Sequence, residues 1–403
     1  MSRRLLLLLG QNPLDPSNGA ARSMDGIARM LADGGWAVRV LGTTANEFPH
    51  PDAAPALSIL LESAGAQSVA EESLDAARLI RFQRKSVEYT LYDGGDWHAG
   101  LNHPDHLPRF DKLFRETLSQ FQPDVLLTFG ARPPDQQRQR EARERGTIVV
   151  LGVRQHTYYD IRAFEPVDAV LTPSRFLSEC YRKRLGIDSV AIPSPLILEE
   201  VIAPEHDPVF VTFVNPSLQK GVMFFARLAE EMGSRLPDIP LLVIESRGSA
   251  AHLMAAGKAG GFDLARHPNL MIAPAVAMPR DIYATTRILL CPSVWEEPWG
   301  RVVTEAMLNG IPPIVSGRGG LAEACAGGGI IPSFPKDLTV TSRVPPSTEA
   351  VQPWSDIIQR LCEDEAAYSA ARAAALAAGR RYLPEQLYPR YLEFFDNLRR
   401  RER

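Results

Sequence analysis

Five consecutive leucines, Leu5 to Leu9, run into the turn-rich "GQNPLDPSNG", and apolar residues then recur at helical spacing, Met24, Ile27, Met30 and Leu31, until Gly34-Gly35. A continuous apolar run this short suits a strand buried on both faces, which requires a sheet covered by helices on each side. "WAVRVLG" from Trp36 reads as the next strand, so the chain opens as strand, helix, strand. The rhythm returns in "DVLLTFG" from Asp124, "TIVVLGV" from Thr147 and "AVLTPS" from Ala169, each an apolar run ending in a polar loop. A second series follows "IPSPLILEEVIAPEHDP": "VFVTFV" from Val209, "LLVIES" from Leu241, "ILLCPS" from Ile288 and "PPIVSG" from Pro312. The pattern predicts parallel sheets, with ligands bound beyond the C-terminal strand ends.

At 403 residues the chain exceeds one ordinary core, and two domains with a hinge around residues 195 to 207 are expected. Residues 45 to 111 fit this scheme less well, mixing Ala-rich helix, a strand pair around "VEYTLYDGG" and the histidine-bearing "DWHAGLNHPDH". Near the C-terminus, Leu387, Tyr391, Phe394 and Leu398 fall on one helical face, which needs a partner surface. The formal charge of −4 supplies no general field for nucleic acid or anionic lipid. Cys180, Cys291, Cys325 and Cys362 lack the spacing of a zinc site or a disulfide framework and read as buried thiols of a reducing compartment. The leucine run is too short for a signal peptide, and no run approaches the ~18 apolar residues of a membrane span. A cytoplasmic location is expected.

The chemistry is concentrated in "PSVWEEPWGRVVTEAMLNG" from Pro292, where Glu297 and Glu305 stand eight residues apart around a Pro-Trp-Gly turn. The pattern predicts strand, loop, then a helix closed by Gly310, with Pro312-Pro313 barring its continuation. Glu305 falls in the second turn. Glu297 lies ahead of the helix start, where free N–H groups and the helix dipole favour an anion. A phosphate held between the two carboxylates would leave each free to accept from hydroxyls on either side, the layout of a sugar-phosphate-nucleoside. The alternative is capping and dipole pairing alone.

The series Glu297, "PWG", Glu305-Ala306-Met307, "NGIPPIVS", Gly319-Gly320-Leu321 and Glu323 resembles, in order, the signature of the retaining GT-B glycosyltransferases of family four, glycosyl transferases group 1. The resemblance is strong from about Val209 to Pro332 and looser elsewhere. It implies an α/β fold of two Rossmann-like doubly wound domains facing across a cleft. Residues 1–200 would bind the acceptor and residues 201–380 the nucleotide-sugar, while a C-terminal helix in 381–403 crosses back to the first domain.

Residue by residue, the resemblance implies that Glu297 binds hydroxyls of the transferred sugar and Glu305 grips the ribose. The backbone of Trp299, Gly300 and Arg301 would face sugar and phosphates, with Gly320 in the neighbouring glycine loop. Trp299 stands where the family usually has Phe. Arg301 stands where an aliphatic residue is common, so its side chain is either a phosphate contact or solvated. "VNPSLQKG" from Val214 resembles the loop whose Arg and Lys clamp the diphosphate. Lys220 is present, but Asn215 replaces the arginine, and Arg247 or Arg301 are the candidate substitutes. Gly19-Ala20 resembles the first-domain glycine loop, although a helix N-cap at Ser17 or Asn18 explains it as well. Phe129, Gly130 and Ala131 occupy the loop where many members carry a donor-contacting histidine. His156 is the candidate polar contact in its stead, against an ordinary loop histidine.

The implied reaction transfers a sugar, with retention, from a UDP- or GDP-sugar to an acceptor hydroxyl of a glycan, a lipid-linked precursor or a small molecule. No cofactor or metal is required, because Lys220 and the helix start at Gly300 would stabilise the leaving diphosphate. The rival readings are a non-catalytic sugar-nucleotide-binding or partner protein of this fold, and another GT-B enzyme such as a nucleotide-sugar epimerase. His98, His103 and His106 with Asp96 and Asp105 match no metal-ligand spacing and read as solvated. "DQQRQREARERG" reads as a solvated helix face, and the terminal "RRRER" as a frayed end, with a peripheral membrane contact as its alternative.

Overall fold

The computed structural model describes residues 3–48, 54–74, 77–95 and 106–399. The chain forms two compact units, passing from the first to the second at Leu196/Ile197 and returning at Arg381/Tyr382.

The first unit is built on nine strands: β1 (Arg4–Leu8), β2 (Ala37–Thr43), β3 (Gln67–Leu74), β4 (Ala77–Arg84), β5 (Val87–Asp93), β6 (Val125–Thr128), β7 (Ile148–Gly152), β8 (Ala169–Thr172) and β9 (Val190–Ala191). Their order in the sheet is β3-β4-β5-β2-β1-β6-β7-β8-β9. Leu5 to Leu8 have no more than 3% exposure, because β1 lies between β2 and β6 and is covered on both faces. Helix Gly19–Asp33 follows it, with the Asn18 side chain accepting from the N–H of Ala21. The strand order reverses between β1 and β6, the mark of a doubly wound sheet.

The sheet is not wholly parallel. β3 and β4 form an antiparallel edge with β5. A short helix, Leu57–Ser63, is present, but the alanine-containing stretch after it folds as strands rather than helix. The reason is the alternation in β4, where Arg78, Arg81 and Gln83 are exposed while Leu79, Phe82 and Arg84 are buried. A two-residue turn led by Lys85, at φ 53°, returns the chain into β5. Ion pairs Arg78–Glu71 (3.0 Å) and Arg81–Glu72 (3.1 Å) run along the exposed edge, charges that discourage pairing with another chain.

Helix Pro384–Asp396 belongs to the first unit. Of its predicted face, Leu387, Tyr391 and Phe394 lie on the helix and are buried, and Leu398, just past its end, is buried as well. Phe395 packs edge-on against Trp36 at 5.6 Å, Arg3 Nη1 donates to the carbonyl of Phe395, and the Tyr391 hydroxyl donates to the carbonyl of Pro193 at 3.0 Å.

The second unit has five parallel strands, β10 (Phe210–Val214), β11 (Leu241–Ile244), β12 (Leu270–Ala273), β13 (Thr286–Cys291) and β14 (Pro313–Val315), in the order β12-β11-β10-β13-β14. β12 was not legible, since "LMIA" is short and only half-buried. The core gathers Phe213 stacked on Phe225 at 4.5 Å and Phe224 against Trp354. Here the order reverses between β10 and β13, so the loops after these two strands occupy the ligand-binding position of such a sheet. Among the cysteines, Cys291 and Cys325 are buried, whereas Cys180 and Cys362 are half-exposed; all four are free thiols. Among the described residues no helix is long and apolar enough to cross a membrane.

Phe395 is fully buried, so Phe395→Ala should cost about 3–5 kcal/mol. Native-state hydrogen exchange should show protection lost in the first unit and retained in the second; equal loss in both would contradict this division.

Candidate active site

The turn after β10 is fastened to the loop after β13. Asn215 leaves β10 at φ 66°, a left-handed conformation costing most residues about 1–2 kcal/mol. Asparagine suits it because its Oδ1 accepts from the N–H of Gly248 at 2.8 Å. Gly221 adopts φ 90°, and a Cβ there would lie 1.9 Å from the carbonyl oxygen of Pro292. The carbonyl of Gln219 accepts from the N–H groups of Val294 and Trp295 at 3.1 and 3.3 Å. Lys220, between these two anchors, is thereby delivered to the loop that carries Glu297.

Lys220 Nζ donates to Glu297 Oε1 at 2.6 Å, and the Ser293 hydroxyl donates to the same oxygen at 2.6 Å. Glu297 is buried, yet its Oε2 accepts no hydrogen bond among the described residues. One carboxylate oxygen is thus fixed by a cation and a hydroxyl while the other keeps its acceptor capacity. The backbone of Glu297 is held by Gly319 and Gly320. Glu297 and Gly319 form an isolated parallel bridge, the N–H of Gly320 donates to the carbonyl of Glu297 at 2.6 Å, and a Cβ on Gly319 would meet that carbonyl at 2.5 Å.

Helix Arg301–Leu308 starts at Gly300, whose φ of 117° gives the left-handed entry and which offers no side-chain cap. Glu305 lies on its second turn, buried, with both oxygens engaged. Oε1 accepts from Arg301 Nε at 3.0 Å and pairs with Arg301 Nη2 at 2.8 Å; Oε2 accepts from the Tyr283 hydroxyl at 2.7 Å. The side chain of Arg301 is accordingly neither solvated nor offered freely to a phosphate, but bound to Glu305 at the i,i+4 spacing. Burial, and then the Glu305 charge, raise the Tyr283 phenol well above its ordinary value, so it stays a donor across the neutral range. Trp299 is buried at 4% exposure. Arg247 is exposed, and Arg318 is spent on the carbonyls of Val294 and Pro335.

His156 and Gly19 lie in the first unit. His156 follows β7, its Nδ1 at 2.7 Å from the Tyr159 hydroxyl, with Tyr159 stacked on Tyr181 at 4.8 Å. Gly19 opens its helix behind the Asn18 cap, the arrangement the capping reading describes. His98, His103, Asp96 and Asp105 lie outside the described residues, as do the last four of "RRRER". His106 is described and pairs through Nδ1 with the Tyr92 hydroxyl at 3.0 Å. Among the described residues no group of three or more His, Cys, Asp or Glu side chains is placed to hold a metal ion. Two site residues escaped the sequence reading. Ser293 had a usable signal, a hydroxyl directly after a strand end, whereas Tyr283 sits in a short helix before β13 with nothing local to mark it.

The fold is the GT-B fold, on the likeness of the chain to glycosyltransferases of known structure. A glycosyltransferase from Rickettsia africae ESF-5 superposes with a TM-score of 0.64 at 13% identity, over 98% of this chain and 100% of that one. Anabaena Alr3699/HepE, solved in complex with UDP and glucose, gives 0.67 at 16% identity over 98% and 99%. The pneumococcal O-GlcNAc transferase GtfA, in complex with UDP and GlcNAc, gives 0.65 at 11% over 98% and 99%. Residues 208–364 match the family model of the glycosyl transferases group 1, the family that the series from Glu297 to Glu323 resembles. No curated protein matches the chain in sequence.

Two outcomes follow from this packing. Gly221→Ala combines a strained φ with a clash against Pro292, so it should lower the melting temperature and uncouple Lys220 from Glu297; a melting temperature unchanged from the parent would contradict the close approach. The Cys291 thiol is pushed up to about 12, by burial first and then by the Glu297 charge. Native protein at pH 8 should therefore leave Cys291 unalkylated by iodoacetamide until it is unfolded, as peptide mapping would record.

Proposed function

We propose that the chain is a retaining glycosyltransferase that moves a sugar from a nucleoside-diphosphate-sugar, UDP- or GDP-linked, to an acceptor hydroxyl. The second unit holds the donor and the first holds the acceptor. The observation that carries the reading is the pair of buried carboxylates flanking a helix start, with Lys220 bound to the first of them.

Glu297 accepts from hydroxyls of the transferred sugar through its open Oε2, and Glu305 accepts from the ribose. Backbone at Trp299, Gly300 and Arg301 faces the phosphates at the helix start, with Gly320 supporting the loop. Lys220 and that helix start stabilise the charge that develops on the departing diphosphate, without a requirement for metal. The acceptor oxygen bonds to the anomeric carbon as the carbon–diphosphate bond breaks on the same face. The diphosphate takes the acceptor's proton, so atoms and charge balance. His156 and Gly19 are the first-unit candidates for polar and backbone contacts to substrate. A non-catalytic sugar-nucleotide binder is the second reading, favoured by Asn215, whose side chain is occupied with Gly248 and supplies no cation.

The test is kinetic. Release of nucleoside diphosphate from UDP- and GDP-sugars is measured for the parent, Glu297→Ala and Glu305→Ala. Glu297→Ala should lower kcat on the order of 10²-fold, and Glu305→Ala should mainly raise the donor KM. Binding without turnover by any donor would favour the binder, and equal, negligible effects of both substitutions would remove the assignment.

A further inference from the structure

The second unit's candidate site contains two acidic and two basic side chains, and they neutralise each other. Lys220 is paired with Glu297 and Arg301 with Glu305. A nucleoside diphosphate brings several negative charges, so it meets a net-neutral set unless a pair exchanges partners. Two further observations single out the Arg301–Glu305 pair. Arg301 Nη1 is buried without a hydrogen-bond partner among the described residues, although a guanidinium donor sealed from water is among the least tolerated of orphans. Glu305 is also nearly saturated. A carboxylate offers roughly four lone-pair sites, of which Nε and Nη2 of Arg301 fill the two on Oε1 and the Tyr283 hydroxyl one on Oε2. A single site remains, whereas a ribose presents two neighbouring hydroxyls.

We infer that Arg301 is a displaceable counterion: bound to Glu305 in the arrangement seen here, it transfers to the diphosphate of an arriving donor and frees Glu305 Oε1 for the ribose. The inference rests on the donor-site reading above and assigns to Arg301 a task that the reading leaves open. The exchange satisfies three groups at once. The orphaned Nη1 gains an acceptor, the diphosphate gains a planar, multi-donor cation beside Lys220, and the ribose gains its second acceptor. Glu305 gives up its counterion but not its hydrogen bonds, since the Tyr283 hydroxyl stays on Oε2 while ribose hydroxyls replace the guanidinium on Oε1. A nucleoside alone cannot drive the transfer, because it offers the guanidinium no anion. The site therefore discriminates between a nucleoside and its diphosphate through this side chain.

Calorimetric titration of the full chain with UDP and uridine, and with GDP and guanosine, tests it on the parent, Arg301→Gln and Arg301→Lys. The parent should prefer one diphosphate over its nucleoside. Arg301→Gln should shrink that preference about tenfold or more, and Arg301→Lys, which keeps the charge without the fork, should retain most of it. A preference unchanged in Arg301→Gln, with both affinities falling together, would mean that Arg301 only holds Glu305 and would overturn the inference. Should Arg301→Gln fail to fold, the side-chain Nε–Hε resonance of Arg301 in the parent, assigned by its loss in Arg301→Lys, gives the same answer. It should move with the diphosphate and not with the nucleoside; the same shift with both overturns the exchange. If the parent binds none of the four probes, the donor-site reading itself falls, an outcome distinct from an unchanged preference.

Discussion

The contact between the turn after β10 and the loop after β13 is the constraint on which the second unit's chemistry depends. Gly221 lies so close to Pro292 that no other residue fits, and the Gln219 carbonyl accepts two N–H groups from the facing loop. Lys220 and Glu297, 77 positions apart, are consequently held at 2.6 Å. Gly319 and Gly320 close on Glu297 from the other side. Three loops, following β10, β13 and β14, thus converge on one carboxylate, and the loops after β10 and β14 each need a glycine where they meet the loop after β13.

Around that junction, buried charge is tolerated because it is paired. An isolated buried carboxylate would be costly, and both glutamates answer this with a cation and a hydroxyl: Lys220 and Ser293 for Glu297, Arg301 and Tyr283 for Glu305. The two differ in what they leave over. Glu297 keeps a whole oxygen open, whereas Glu305 keeps little, and this difference separates a residue ready to receive hydroxyls from one whose counterion must first move.

Much of this was legible in the sequence because βαβ periodicity is local. The leucine run, the helical spacing from Met24 to Leu31 and the runs at Val209, Leu241, Ile288 and Pro312 all stand as strands or helices where the pattern puts them. The misses have physical causes. β4 carries alanine and arginine, good helix formers, and its pairing with β3 and β5 on an alternating pattern makes it a strand. β12 is too short to show a period. At the site, the spacing of Glu297 and Glu305 was visible, but the partner of Arg301 was not, because an i,i+4 pair and a solvated arginine read alike in sequence. Tyr283 reaches Glu305 through the fold alone.

The most direct test of the account is a calorimetric titration of the protein with UDP, GDP, ADP and TDP, paired with the same titrations of Glu305→Ala. The account predicts that one of the uridine or guanosine nucleotides binds selectively and that the heat disappears in the variant. Binding of none of the four, or binding that Glu305→Ala leaves intact, would contradict it.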